Sequence, residues 1–249
     1  MNISPSRVAL VTGGTKNIGL AIVKRLLLDK YRVAFVGSSA QSIDECTKKH
    51  FLDLHECKGY VCDLSKPELF KSLFADVESH FGRLDVLVNN AGLLDMSSVE
   101  NTNEAEWDNL LAVNLKAPFF LVQSSLELLK RSDHPRVINI SSNAGRMGGF
   151  SNGMSYTASK GGLISLTYGL ARQLAKHKIT VNCVAPGTIE SDMLLARDED
   201  TRNKLLQRFP LGRFGQSSEV ADAVAYFSSV NSDFTTGAVL DVNGGLFTG

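Results

Sequence analysis

Residues that bind metals or cross-link small domains are scarce in this chain. It has four cysteines among 249 residues, and no two of them form a Cys-x-x-Cys pair. The five histidines show no metal-ligand spacing either. We therefore expect no metal site, and we expect reduced, structural cysteines as in a protein of the cytoplasm.

An excess of charge of one sign is also missing. Lys and Arg together number 26, as do Asp and Glu, so the formal net charge at pH 7 is +0. This balance argues against binding nucleic acid or a membrane surface through bulk charge. No apolar run reaches the roughly 18 residues that a membrane-spanning helix needs. The stretch from Met1 to Arg7 is too short and polar for a signal peptide. We expect neither a nucleic-acid partner nor a membrane.

What the chain does contain is a regular alternation of strand and helix patterns. Short apolar runs predict strands, and amphipathic stretches between them predict helices. No repeat, low-complexity tract or linker interrupts the alternation. We therefore predict one α/β domain over 1–249, a single doubly wound parallel sheet (a Rossmann fold) of about seven strands with helices on both faces. The predicted strands lie near residues 8–11, 32–36, 59–62, 85–88, 136–140, 179–184 and 238–242.

The first predicted strand ends in a glycine-rich turn, Thr12 to Gly19, and an amphipathic pattern follows at Leu20 to Leu28. Glycine lets a backbone approach a phosphate closely, and a helix N-terminus offers free N–H groups with a partial positive charge. The stretch therefore favours dinucleotide binding. The alternative is a plain turn that uses glycine only for its geometry.

The end of the second strand bears on the choice of dinucleotide. In NAD-binding units of this kind, an acidic residue about 20 residues after the glycines binds the ribose 2′-hydroxyl. Here the strand is followed by Ser38 and Ser39, and the first acid is Asp44, in the next predicted helix. The two serines can donate hydrogen bonds to a 2′-phosphate, and Lys16 can neutralise it. We predict NADP(H), with ordinary loop serines as the alternative.

Polar residues mark three further places. Asp63 follows the third strand and suits either an adenine contact or a helix-entry turn. The turn Asn89-Asn90-Ala91-Gly92 follows the fourth strand and suits either a backbone that faces a cofactor or a hydrogen-bonded turn. Asn114 lies in a long helical stretch, about 102–130, just before Pro118, which should bend it. A buried Asn needs partners, so Asn114 serves either a structural bond or a proton relay.

The main candidate for chemistry is the pair Tyr156 and Lys160. The two residues are four apart in a helix pattern, so they should lie on one face, a turn apart. A nearby ammonium lowers the pKa of a phenol, which makes the pair a candidate acid and base. The alternative is a solvated surface pair.

Two other segments belong with this pair. Ser142 ends the fifth strand, at the edge of the sheet where such folds bind ligands, and its hydroxyl can hold a substrate carbonyl. Residues 190–215 are the most charged and least periodic in the chain. We predict that they form a substrate lid.

Several of these motifs occur together in the order of a known family. The chain resembles the short-chain dehydrogenase/reductase family over 8–245, nearly its whole length. Each motif is weak alone, but together in register they are highly specific. The motifs are the glycine loop at Thr12, the 89–92 turn, Ser142, Tyr156, Lys160 and Pro186-Gly187.

The resemblance implies a role for each catalytic candidate. Tyr156 would give a proton to a carbonyl oxygen, or take it in the reverse direction. Lys160 would lower the Tyr156 pKa and bind the nicotinamide ribose. Ser142 would orient the carbonyl; it is preferred to Ser141 because a glycine follows it at the family's Ser-x-x-Gly spacing. Asn114 would anchor a water that relays protons to Lys160.

The resemblance also implies how NADP(H) is held, with one departure. The family usually has glycine where this chain has Asn17, and Asn tolerates a positive φ. The turn can therefore form, while the Asn17 side chain either crowds or hydrogen-bonds the pyrophosphate. Ser191 replaces a common threonine and keeps the hydroxyl. The expected cofactor residues are Gly13, Thr15, Lys16, Asn17, Ile18, Gly19, Ser38, Ser39, Asp63, Leu64, Asn90, Ala91, Gly92, Tyr156, Lys160, Pro186, Gly187, Ile189 and Ser191.

Within the family, the chain most resembles 3-oxoacyl-[acyl-carrier-protein] reductases, through Lys16 and the stretches 171–175, 179–182 and 210–213. This implies NADPH-dependent reduction of a 3-oxoacyl thioester, on acyl carrier protein or CoA, to the 3-hydroxyacyl thioester, as in fatty acid biosynthesis. It also implies a homotetramer in which the helices of Asn114 and Tyr156 pack across a dimer face.

Three basic residues, Lys130, Arg131 and Arg172, would meet the acidic carrier protein, unless they are ordinary solvated charges. The short motifs are shared with other reductases, which leaves two alternatives open. One is a family member acting on another ketone or alcohol, such as a sugar, polyol, steroid or polyketide. The other is a nucleotide-binding regulator without turnover.

Overall fold

The computed structural model describes residues 6–51, 55–149, 152–196 and 198–249 of the chain. Residues 1–5, on which most of the signal-peptide expectation rests, lie outside that part. The strands are β1 (Val8–Thr12), β2 (Arg32–Gly37), β3 (Cys57–Val61), β4 (Val86–Asn89), β5 (Arg136–Ile140), β6 (Thr180–Pro186) and β7 (Val239–Val242).

These strands form one parallel sheet in the order β3-β2-β1-β4-β5-β6-β7. The predicted fold class is therefore confirmed. In the described part of the chain, no helix is long and apolar enough to cross a membrane. The helices are α1 (Asn17–Leu28), α2 (Ala40–His50), α3 (Phe70–Phe81), α4 (Glu104–Leu111), α5 (Ala117–Leu129), α6 (Ala144–Met147), α7 (Met154–Leu174), α8 (Asp192–Leu195), α9 (Glu199–Leu206) and α10 (Ser217–Ser228).

Helices cover both faces of the sheet. On one face, side chains of α3, α5 and α7 form a buried apolar cluster with Val8 and Leu10 of β1. On the other face, side chains of α1, α2 and α10 pack with Ala9 and Val11 of the same strand. Successive residues of β1 point to opposite faces, and both faces are apolar. This is why the central strands consist of unbroken apolar runs in the sequence.

The strand order reverses between β1 and β4, which pair although they are far apart in sequence. In such sheets the loops leaving the two carboxyl ends run in opposite directions and leave a crevice between them. The hydroxyl of Thr12 accepts the backbone N–H groups of Asn90 at 3.0 Å and Ala91 at 3.1 Å. The side-chain amide of Asn90 donates to the carbonyls of Thr12 at 2.9 Å and Gly13 at 3.2 Å. These bonds join the two loops at the crevice.

The long helix predicted over about 102–130 is interrupted by a π turn, Ala112–Lys116, between α4 and α5. The physical reason is Pro118, which lacks the N–H that the carbonyl of Asn114 would accept in a continuous α-helix. The N–H of Ala117 bonds instead to the carbonyl of Ala112, one residue further back. Single π turns often occur at functional sites. This one carries Asn114, whose side chain is fully buried.

The segment predicted as a lid, 190–215, contains α8 and α9. Its residue 197 lies outside the described part of the chain. The two ends of the segment lie side by side, because the N–H of Glu190 donates to the carbonyl of Gly215 at 2.8 Å. The N–H of Gly215 donates in turn to the carbonyl of Thr188 at 3.0 Å. The N–H of Leu211 also donates to the carbonyl of Gly244 at 3.2 Å, so the segment is joined to the rest of the fold both at its ends and near Leu211.

Candidate active site

The loop between β1 and α1 depends on two glycines. Gly13 has a φ of +64°, in the left-handed region that favours glycine. A Cβ on Gly19 would lie 2.0 Å from the carbonyl oxygen of Gly13 and 2.6 Å from the side-chain nitrogen of Asn90. Helix α1 therefore begins directly against the ends of β1 and β4. Asn17 has a φ of +49°, so the turn forms with asparagine at a position where the family usually has glycine, as predicted.

The crevice holds a cavity of about 500 Å³, which we call the loop lobe, between the glycine loop and the carboxyl ends of β2 and β3. Most of the predicted cofactor residues lie on its walls, so the structure brings them together. They are Gly13, Thr15, Lys16, Asn17, Ile18, Gly19, Ser38, Asp63, Leu64, Asn90, Ala91 and Gly92.

A second cavity of about 300 Å³, the tyrosine lobe, adjoins the first. It collects predicted residues from β5, α7 and the loop after β6: Ser142, Tyr156, Lys160, Pro186, Gly187, Ile189 and Ser191. Five residues line both lobes and form the neck between them: Asn17, Ile18, Asn90, Gly92 and Leu93. The two lobes are therefore parts of one trough.

Tyr156 and Lys160 lie one turn apart on α7, as predicted. Lys160 is buried. Its Nζ donates to the carbonyl of Ile140 at 2.9 Å and lies 5.7 Å from the centre of the Tyr156 ring. Burial lowers the pKa of Lys160 to about 8, because the charged ammonium loses hydration inside the protein.

The pKa of Tyr156 differs from the expectation. We expected the Lys160 ammonium to lower it, but burial of the phenol raises this pKa, and a hydrogen bond with Ser142 opposes the rise only in part. The reason lies in the geometry, since the hydrogen bond of Nζ goes to Ile140 and the ammonium faces the ring. A phenol held in its neutral form suits a proton donor.

The two serines after β5 have different partners. The hydroxyl of Ser141 donates to the carbonyl of Lys160 at 2.8 Å and so joins β5 to α7. The hydroxyl of Ser142 accepts the N–H of Ala144 at 3.1 Å and interacts with Tyr156. The glycine of the Ser-x-x-Gly spacing has a packing role, because a Cβ on Gly145 would lie 2.5 Å from the carbonyl carbon of Lys160. Of the two hydroxyls, that of Ser142 is the one beside the phenol.

Asn114 lines neither lobe. Its Oδ1 accepts the N–H of Leu93 at 2.7 Å, and its Nδ2 donates to the carbonyl of Leu93 at 2.9 Å and to the hydroxyl of Ser159 at 3.2 Å. It therefore makes structural bonds that hold the loop after β4 to α7. A Cβ on Gly92 would lie 3.3 Å from this Oδ1 and 3.3 Å from Nζ of Lys160. Both polar atoms thus face one small space beside Gly92.

Two other predicted residues have local partners. Ser39 does not line the loop lobe; its hydroxyl oxygen accepts the N–H of Ser42 at 3.2 Å and caps α2. Asp63 lines the loop lobe, and it also forms the helix-entry turn that was the alternative to an adenine contact. Its carboxylate accepts the N–H of Ser65 at 3.0 Å and the Ser65 hydroxyl at 2.7 Å, and it pairs with Lys66 at 3.4 Å.

Other residues on the trough walls were not selected from the sequence. Leu93 and Leu94 directly follow the 89–92 turn, so their position was a usable signal. Asn109, Val113 and Ser217 come from helical segments, and nothing in the local sequence shows that these segments reach the crevice. The full set is Val36, Gly37, Cys62, Leu93, Leu94, Asn109, Val113, Ile140, Ser141, Glu190 and Ser217.

The trough fits a dinucleotide better than a metal. In the described ranges, no group of three or more His, Cys, Asp or Glu side chains could hold a metal ion. A Cβ on Gly13 would lie 2.9 Å from the Cα of Ala91, so the glycine loop packs closely against the loop after β4 and leaves no room for a side chain at residue 13. Such a glycine loop before a helix suits binding of a pyrophosphate. The two halves of the dinucleotide would then lie on either side of this loop.

Comparison with known proteins gives a consistent result. A family model described as short chain dehydrogenase matches residues 7–202. The 3-oxoacyl-[acyl-carrier-protein] reductase FabG of Staphylococcus aureus (strain Mu50) is 37% identical over 246 residues, which cover 97% of this chain and 98% of the relative. Proteins of the same name from Staphylococcus epidermidis and Escherichia coli (strain K12) are each 36% identical and match over 99% and 97% of their own lengths. The resemblance inferred from the motifs is confirmed.

The buried Lys160 should affect how stability depends on pH. Its ordinary pKa is 10.5 and burial lowers it to about 8, so between these values the unfolded chain binds a proton that the folded chain has lost. The stability of the wild type relative to Lys160→Met should therefore rise from about pH 8 to about pH 10.5. At about 1.4 kcal/mol for each pKa unit, the rise is at most about 3.5 kcal/mol. Urea denaturation of both proteins measures it, and a difference that stays constant over this range would contradict the prediction.

Proposed function

The chain belongs to the short-chain dehydrogenase family, and from this premise we propose that it is an NADPH-dependent ketoreductase that converts a 3-oxoacyl thioester into the 3-hydroxyacyl thioester. As a family member it is an oxidoreductase that uses a nicotinamide nucleotide and acts between hydroxyl and carbonyl groups. The observation that carries the proposal is the tyrosine lobe, where Tyr156, Ser142 and Lys160 line one end of a trough that has the glycine loop at its other end. Relatives named as 3-oxoacyl-[acyl-carrier-protein] reductases support the substrate class.

In the proposed reaction, Tyr156 gives its hydroxyl proton to the carbonyl oxygen of the substrate. Burial raises the pKa of this phenol, which keeps the proton in place at neutral pH until the carbonyl oxygen gains negative charge. Ser142, which interacts with the phenol, hydrogen-bonds the same oxygen and keeps it within reach. When bound, the nicotinamide nucleotide supplies the hydride.

After giving up its proton, Tyr156 is a phenolate and must regain a proton. We assign this to Lys160, whose pKa of about 8 lets it release and regain a proton near neutral pH. The side chains of Lys160 and Asn114 face the same small space beside Gly92, which supports a water held there by Asn114 as the next step of the relay. The structural bonds of Asn114 to Leu93 hold it in this orientation.

The proposed cofactor residues divide between the two lobes. Lys160 binds the nicotinamide ribose, and Pro186, Gly187, Ile189 and Ser191 border the nicotinamide half in the tyrosine lobe. The adenosine half occupies the loop lobe, with Asp63 and Leu64 on its far wall. Asn90, Ala91 and Gly92 line the loop lobe beside the glycine loop, to which Asn90 is hydrogen-bonded.

The preference for NADP(H) is proposed from the charges around the loop lobe. Lys16 is exposed at the start of α1 and lines the lobe together with Ser38. Asp44, the first acid after β2, lies on α2 and pairs with Lys48 at 2.9 Å. A 2′-phosphate would therefore meet a cation and a hydroxyl at the end of β2. Ser39 uses its oxygen to cap α2, which leaves its hydroxyl proton for the phosphate.

The proposed acyl carrier protein would approach the basic residues near the ends of α5 and α7. Lys130 pairs with Glu127 at 2.7 Å and Arg131 with Glu78 at 2.6 Å, so both would have to exchange partners. Arg172 is exposed on α7 and has no ion pair in the described part of the chain. Of the three basic residues, Arg172 is therefore our first candidate for contact with an acidic carrier protein.

We further propose that residues 190–215 close over the tyrosine lobe. Glu190 and Ser191, at the beginning of this segment, line that lobe, and the pairing of Glu190 with Gly215 keeps the two ends of the segment together. A movement of α8 and α9 would then change the access to Tyr156. Protection of this segment from trypsin by NADPH measures the closure, and equal cleavage with and without nucleotide would count against it.

Tyr156→Phe should remove the proton donor and leave the fold intact. We expect turnover of acetoacetyl-CoA with NADPH to fall by about 10²- to 10⁴-fold, the usual contribution of a general acid, while NADPH binding changes less than about twofold. Tyr226→Phe is the control, because Tyr226 is half-exposed on α10 and lines neither lobe. Loss of NADPH absorbance measures turnover, and fluorescence measures binding. Wild-type turnover in Tyr156→Phe would refute the mechanism.

The same assay separates the proposed substrate from its alternatives. The carrier-protein thioester, the CoA thioester and a set of sugar, polyol and steroid ketones are compared at equal concentration. A preference for the thioesters supports the proposal. Turnover of another ketone alone would assign the chain to a different branch of the family. NADPH binding without turnover of any substrate would favour the regulator.

Lys16→Ala should weaken NADPH binding by about tenfold, as expected for loss of one charge-assisted contact. NADH lacks the 2′-phosphate, so its dissociation constant should change by less than about twofold. Lys24→Ala, an exposed lysine further along α1, is the control. Fluorescence titration with both nucleotides gives the dissociation constants. An equal loss for NADH and NADPH would place Lys16 away from the 2′-phosphate.

Exposed aromatic side chains in two separate regions, helices α5 and α7 and the segment before β7, support the proposed homotetramer. Phe119 on α5 and Tyr168 on α7 are each 39% exposed, and Phe234 before the edge strand β7 is fully exposed. Two such surfaces allow two kinds of twofold contact, which together give four subunits. Sedimentation equilibrium at micromolar concentration should give four times the 27.0 kDa of one chain. A monomer under these conditions would contradict the proposal.

A further inference from the structure

The neck of the trough is where a bound dinucleotide would have to pass between the lobes. Five residues line both lobes, and only two of them, Asn17 and Asn90, have polar side chains. With one half of the dinucleotide in each lobe, the pyrophosphate that joins the halves lies at this neck. The two asparagine amides are thus the side chains available to meet it.

The two amides are not equally available. The side-chain N–H groups of Asn90 are used by the carbonyls of Thr12 and Gly13, at 2.9 and 3.2 Å. The side chain of Asn17 is exposed and has no hydrogen-bond partner in the described part of the chain. Asn17 therefore carries the free side-chain donor at the neck.

The backbone of Asn17 is also unusual. Three non-glycine residues among those described have a positive φ: Asn17, Lys30 and Lys178. Lys30 and Lys178 follow the ends of helices, a common place for the left-handed conformation. Asn17 instead stands at the beginning of α1, on the wall of both lobes. A glycine would adopt this conformation with less strain, so the side chain is kept at a conformational cost.

We propose that the side-chain amide of Asn17 donates a hydrogen bond to the pyrophosphate of the dinucleotide. The inference rests on the proposed function, in so far as it requires a dinucleotide in the trough. It decides between the two effects considered for this side chain, binding and crowding, in favour of binding. The chain then holds the pyrophosphate with a side chain as well as with the backbone N–H groups of the first turn of α1.

Three variants and two ligands test this inference by binding alone. Asn17→Gly removes the donor and relieves the backbone. Asn17→Asp keeps the size and the tolerance of a positive φ, but replaces the donor by a negative charge. Gly82→Ala is the control for a substitution at a residue with a positive φ. Gly82 follows α3, far from the trough, and a Cβ there would meet nothing within 4 Å. The ligands are NADPH and adenosine 2′-monophosphate, which has the 2′-phosphate but no pyrophosphate.

We expect Asn17→Gly to raise the dissociation constant of NADPH by about tenfold and Asn17→Asp to raise it further, because a carboxylate repels the pyrophosphate. The dissociation constant of adenosine 2′-monophosphate should change less than about twofold in Asn17→Gly. The melting temperature of Asn17→Gly without nucleotide should equal or exceed that of the wild type. Fluorescence and calorimetric titrations give the constants.

Three results would overturn the inference, and they are distinguishable. If the wild type binds NADPH and Asn17→Gly binds it as tightly or more tightly, the side chain crowds the site, while the proposed function stands. If the wild type binds no dinucleotide, the proposed function fails and the inference fails with it. Weakened binding of both ligands by Asn17→Gly would also contradict it, because the loss would then lie in the loop and not at the pyrophosphate.

Discussion

The trough depends on the hydrogen bonds between the ends of β1 and β4. Asn90 donates to the carbonyls of Thr12 and Gly13, and the Thr12 hydroxyl accepts the backbone N–H groups of Asn90 and Ala91. Adjacent loops that leave a parallel sheet in opposite directions would otherwise separate and expose unpaired backbone groups. Because they are joined here, α1 begins close to β4, and Gly19 has no room for a side chain. The neck and both lobes follow from this one connection.

A second constraint is the cost of burying an ammonium group. The structure places Lys160 under the tyrosine lobe and gives its Nζ one carbonyl, that of Ile140. One neutral acceptor does not replace full hydration, and the pKa of Lys160 falls to about 8 as a result. The pKa of Tyr156 rises for the same reason, since its phenolate would also lose hydration. Burial thus lowers the pKa of the amine and raises the pKa of the phenol, so that transfer of a proton from the Lys160 ammonium to a Tyr156 phenolate is favourable.

The sequence was sufficient for the sheet and for most of the trough, because these depend on local patterns. Unbroken apolar runs predict buried parallel strands, and the carboxyl ends of such strands meet at one edge, so Ser38, Asn90 and Ser142 could be grouped in advance. The π turn at Asn114 was missed as such, since Pro118 predicts a bend but not its form. The role of Ser39 as a cap of α2 is a local contact with Ser42 that was not considered, whereas the position of Ser217 at the tyrosine lobe depends on contacts between distant segments. The pKa of Tyr156 was expected in the wrong direction, because burial cannot be measured from a spacing of four residues.

The distribution of charge in the trough bears on what selects the substrate. The tyrosine lobe has two charged side chains on its walls, the buried Lys160 and the exposed Glu190. These two groups do not form a basic pocket for a carboxylate or phosphate, so under the proposed function the lobe would take a neutral carbonyl group. Under the same proposal, selection of an acyl group on a carrier would come from residues outside the lobe, where Arg172 is exposed. The proposed function therefore assigns the chemistry to the tyrosine lobe and the choice of substrate to residues outside it.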